Sequence, residues 1–75
     1  MIREELVEYF TNIKDSNRLT YKMIQEITGL NQSQISNILK HNGKSVSIDI
    51  IEKAILDLGF IIEVDIHNLD HVGAD

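Results

Sequence analysis

The chain has no cysteine among its 75 residues, so neither a disulfide framework nor a thiolate metal site can supplement a small core. It has no apolar run long enough to span a bilayer. Its opening stretch, MIREELVEYF, holds three acids and no apolar segment of the signal-peptide kind, so a cytoplasmic chain with no membrane partner is expected. Positive charge is scarce: seven lysines and arginines stand against twelve acids, for a net charge of −5. That balance argues at first against nucleic acid, whose phosphates usually draw affinity from basic side chains. A phosphate-cradling glycine loop, a cysteine nucleophile and an acid pair on a recognisable scaffold are also missing, so the expectation is no enzyme and no cofactor. His67 and His71 lie four residues apart without a third ligand, which leaves no metal site.

Apolar residues make up 43% of the chain and charged residues 25%, the balance of a folded globular domain. At this length a single core is marginal and association with a second copy is useful. The charge is also unevenly spread. Residues 1–19 set Arg3, Lys14 and Arg18 against four acids, and residues 20–47 set Lys22, Lys40 and Lys44 against Glu26 alone, a net of +2. Residues 48–75 set Lys53 against seven acids, a net of −6. The middle third is the only positive one.

Apolar spacing sets out the elements. Ile2, Leu6, Phe10 and Ile13 recur at three or four residues and predict an amphipathic helix over about Ile2–Lys14, closed by the turn-forming run KDSNR. Thr20 is placed to cap a two-turn helix carrying Met23, Ile24 and Ile27 inward and stopping at Gly29. Asn31 is placed to cap the next, which turns Ile35, Ile38 and Leu39 inward and closes at Asn42-Gly43. Ser47 caps a fourth helix whose inner face is Ile48, Ile51, Ala54, Ile55 and Leu58, with Gly59 as its stop. The last element, FIIEVDI (60–66), alternates branched residues with polar ones and predicts a short β-strand. The expected fold is all-α with that C-terminal strand: one domain over 1–67 and a polar tail over 68–75.

A lone strand leaves its backbone groups unpaired. Pairing it with the same strand of a second molecule about a two-fold axis solves this, and makes Ile51, Ile55, Leu58, Phe60, Ile62, Val64 and Ile66 the expected homodimerisation surface.

Two short helices joined through a glycine, the second showing short polar groups outward, describe a helix-turn-helix. Thr20, Tyr21, Ile24, Gly29, Ile35 and Ile38 fall where the lambda repressor and Cro-like helix-turn-helix family has its cap, first contact residue, packing residue, turn glycine and buried aliphatics. The stretch VSIDIIEKAILDLG (46–59) resembles the helix that follows in that family. The resemblance covers about Leu19–Gly59 and implies a four-helix lambda-repressor-like domain binding double-stranded DNA. One position departs from the family pattern: Gln25 stands where alanine is usual.

A recognition helix reads base edges from the major groove, and amides match the donor and acceptor patterns displayed there. Gln32, Ser33 and Asn37 project opposite Ile35 and Ile38 and are assigned to bases, with Gln32 and Asn37 suited to adenine. Gln34 and Ser36 flank that face, while Thr20, Tyr21, Lys22, Lys40, Asn42 and Lys44 suit phosphates. His41, near a helix end, suits the helix dipole.

The leading expectation is therefore a sequence-specific regulator, a repressor, acting as a homodimer on an inverted repeat. Two other classes stand beside it. One is an antitoxin-like interaction module whose acidic last third docks a basic protein partner; the other is a helix-turn-helix kept only as a dimeric scaffold.

Overall fold

The structure, a computed structural model, describes the backbone of residues 2–74 and the side chains of residues 2–63. Four helices follow in order: α1 (Ile2–Ser16), α2 (Tyr21–Thr28), α3 (Gln32–His41) and α4 (Ile48–Ala74). Among the described residues there is no strand.

Local chemistry explains the boundaries. Residue Leu19 donates its N–H to Lys14 O at 2.9 Å and Arg18 donates to Asp15 O at 3.3 Å, with Arg18 at φ 53°: a Schellman closure of α1 built on a non-glycine residue. The Thr20 hydroxyl accepts the Met23 N–H at 3.2 Å, capping α2, which ends at Gly29 with φ 79°. Thr28 then holds the turn, its hydroxyl donating to Ile24 O at 2.7 Å and accepting the Leu30 N–H at 3.2 Å. At the head of α3 a full capping box forms. Asn31 Oδ1 accepts the Gln34 N–H at 2.7 Å, and Gln34 Oε1 accepts the Asn31 N–H at 3.0 Å. Asn42 and Gly43, at φ 55° and 65°, close α3 as the pair was expected to, and the Ser47 hydroxyl accepts the Ile50 N–H at 3.3 Å to start α4.

The core gathers Val7 and Phe10 of α1, Ile24 of α2, Ile35 and Ile38 of α3, and Ile51, Ala54 and Leu58 of α4, with Leu19, Leu30 and Val46 from the connections. The fourth helix lies against both α1 and α2, and α2 packs on α3. Among the described residues no polar or charged residue is buried. One long-range contact binds the two ends of this arrangement: the Arg3 guanidinium donates to Gly43 O and, at 2.7 Å, to Val46 O. It fastens the first turn of α1 to the loop that delivers α3 to α4.

Two expectations are corrected. Gly59 does not stop the fourth helix, and Phe60–Glu63 continue α4 instead of opening a strand. Residues 60–66, expected as a strand, lie within α4. The physical reason is the helical stripe: Ile62 lies four residues beyond Leu58 and packs beside the core, which a strand leaving at Gly59 would forgo. Gly59 keeps a negative φ and meets nothing on the side where a Cβ would stand. The second correction concerns self-association. Ile51 and Leu58 are fully buried within the single chain and present nothing to a partner, whereas Ile55 and Ile62 are half-buried and Phe60 is exposed. The side chains of Val64, Ile66, His67 and His71 and of the 68–75 tail lie outside the described residues.

Candidate nucleic-acid interface

Helix α3 is amphipathic because its buried residues, Ile35 and Ile38, sit three apart and leave the opposite side to short polar groups. With the start of α2 that side encloses an open groove of about 590 Å³, lined by Tyr21, Gln32, Ser33, Ser36, Asn37, Lys40 and His41. Six of these seven are positions assigned to DNA from the sequence. His41 is the addition; its side chain turns to the groove as well as standing at the helix end, and its place one turn past Asn37 was the available signal.

The groove holds hydroxyls, amides, one ammonium and one imidazole, and no carboxylate. Gln32 and Ser33 are exposed and make no side-chain hydrogen bond among the described residues, so their donors and acceptors are uncommitted. Gln32 keeps both halves of its amide for a bidentate partner. The half-buried Tyr21 packs against the core with its ring, placing the start of α2 at the groove edge.

The structure separates the other assignments. Asn37 is half-buried and its Oδ1 accepts the Ser45 N–H at 2.9 Å, leaving only its NH₂ for the groove. Two-point recognition of adenine requires both the oxygen and the nitrogen of an amide. Asn37 therefore offers a donor alone while the loop bond stands. Gln34 spends its N–H and its Oε1 on the capping box and keeps its NH₂, and the Thr20 hydroxyl accepts from Met23 and keeps its O–H. Gln34 lines a smaller depression with Asn31, Ser33, Asn37, Ser45 and Val46. Asn42 and Lys44 do not join the groove; they border a separate apolar hollow of about 510 Å³ with Ile2, Arg3, Glu4 and Ile48. Lys22 is exposed and outside the groove. Gln25 is half-buried in α2.

Sequence reasoning did not single out Arg3. As one cation among four acids nearby it reads as solvated, and only the fold brings it to the carbonyls of residues 43 and 46.

No family model matches the chain, and no match was found among curated proteins or solved structures. Among the described residues no helix is long and apolar enough to cross a membrane.

Proposed function

We propose that this chain is a lambda-repressor-like helix-turn-helix regulator that binds double-stranded DNA as a homodimer, reading base edges with the outer face of α3. The observation that carries this reading is the composition of the groove. Tyr21, Gln32, Ser33, Ser36, Asn37 and Lys40 converge on one acid-free face in the only net-positive third of an acidic chain. A merely solvated helix face has no reason to exclude carboxylates, whereas a face that approaches phosphates does.

In this reading Gln32 and Ser33 read bases, Asn37 adds a donor, and Lys40, Tyr21 and the amides at the start of α2 hold phosphate. Two copies related by a two-fold axis engage half-sites about one helical turn apart, and occupancy of such an operator blocks polymerase. With few lysines per subunit, affinity comes from base readout and from doubling the contact, not from charge alone.

The test is selection of bound sequences from a random duplex pool, with sedimentation run on the same protein. A palindromic consensus bound by two copies is the expected result. A pool that enriches nothing, even at low salt, overturns the reading and favours the interaction module, in which the net −6 of residues 48–75 docks a basic protein.

A further inference from the structure

Helix α4 carries two apolar stripes, and the folded chain uses one. The inner stripe of Ile51, Ala54 and Leu58 is buried. On the opposite side Leu56 and Phe60 are each 66% exposed. Two large apolar side chains one turn apart in water are a cost that association relieves. Their neighbours complete a pattern. Lys53, Leu56, Phe60 and Glu63 are spaced by three, four and three residues, which places them within about 80° of one another around the helix. That is the spacing by which one helix pairs with another. Tyr9 of α1, 60% exposed, borders the same surface, where α1 and α4 leave a depression of about 800 Å³ shared by Tyr9, Leu56 and Phe60.

The charges say what covers this stripe. Its outward side chains run Lys, Leu, Phe, Glu, and the two pairs Leu56/Phe60 and Lys53/Glu63 are both centred on position 58. Reversed end to end and laid on itself, the stripe sets leucine against phenylalanine and ammonium against carboxylate. Laid on itself in parallel, it sets lysine against lysine and glutamate against glutamate. Self-complementarity about a two-fold axis is the requirement for a closed dimer, and opposite charges flanking an apolar seam fix its direction. We infer that a second copy of this chain covers the face, the two α4 helices antiparallel, with Leu56 of each copy against Phe60 of the other and Lys53 facing Glu63 of the second copy. Lys53 already contacts Asp57 of its own helix at 3.3 Å, and an ammonium with three donors serves both carboxylates. The helix thereby takes over the role that the sequence pattern gave to a strand. The inference shares with the proposed function only the premise of self-association, and its test needs no DNA.

The absence of native cysteine makes that test direct. Sedimentation of the wild-type chain should show a dimer, and Leu56→Glu and Phe60→Glu should each raise the dissociation constant by about tenfold or more while helix content, read by circular dichroism, stays constant. Lys53→Cys and Glu63→Cys chains are then oxidised separately and as a mixture. A covalent dimer formed only in the mixture is the expected result. Cross-linking of either single variant with itself means a parallel pair and overturns the inference. So does a dimer that resists both glutamate substitutions, and so does a wild-type chain that stays monomeric. If a glutamate variant loses its helix content, the cysteine mixture decides alone: no mixed dimer overturns the inference. Loss of DNA selection with a normal antiparallel cross-link would sink the regulator and leave this interface standing.

Discussion

Asn37 Oδ1 lies 2.9 Å from the backbone nitrogen of Ser45, so a side chain on the outer face of α3 also pins the loop that follows the helix. The two roles separate by substitution. Asn37→Ala loses the loop bond and should cost about 1 kcal/mol of stability, together with DNA affinity. Asn37→Asp keeps the acceptor and should melt near the wild-type temperature, yet bind duplex DNA at least about tenfold more weakly, because a carboxylate replaces the amide donor that Asn37 turns to the groove. Equal affinity for Asn37→Asp and wild type would remove Asn37 from the interface.

Gly43 combines a left-handed backbone with a crowded site. It has φ 65°, and a Cβ there would stand 2.8 Å from Ile51 Cδ1 in the core. Gly43→Ala should therefore destabilise by about 2–4 kcal/mol, the left-handed penalty and the clash acting together, as measured by denaturant unfolding.

Arg18 presents the opposite case. It takes φ 53° at the end of α1 with an exposed side chain, in a closure that glycine adopts without strain. Arg18→Gly should raise the unfolding free energy by about 0.5–1 kcal/mol, and a lowered Tm would contradict the closure described.

Gln32 is exposed and uncommitted, so Gln32→Ala should leave Tm unchanged while weakening the selected operator by about 1–3 kcal/mol. The salt dependence should be shallow. Lys22, Lys40 and Lys44 in each of two copies allow a slope of log K against log salt no steeper than about −5. A steeper slope would show that affinity rests on charge, contrary to the reading.

The helix ends were legible in the sequence because caps are local chemistry. Thr20, Asn31 and Ser47 start helices, and Gly29 and Asn42 end them, where their side chains or backbone freedom alone demand it. The groove was legible for the same reason: Gln32, Ser33, Ser36 and Lys40 follow from helical spacing once α3 is placed. What local pattern could not decide was residue 59. A glycine followed by branched residues reads equally as a stop and a strand, or as a costly interior glycine in a longer helix; the packing of Ile62 beside Leu58 selects the second. The internal partners of Arg3, Asn37 and Gln34 were not legible, because they are set by tertiary contact or by a reciprocal cap, which no charge count reveals.

The loop between α3 and α4 is held from three directions: by Arg3 of α1, by Asn37 of α3, and by Ile51 of α4 against Gly43. Helix α3 cannot turn about its own axis without breaking one of these attachments. The thermodynamic consequence falls on binding. A surface already fixed in place pays little conformational entropy on contact, so the proposed association with DNA should show the heat-capacity change of docking two formed surfaces and none of the larger change that accompanies folding on a partner.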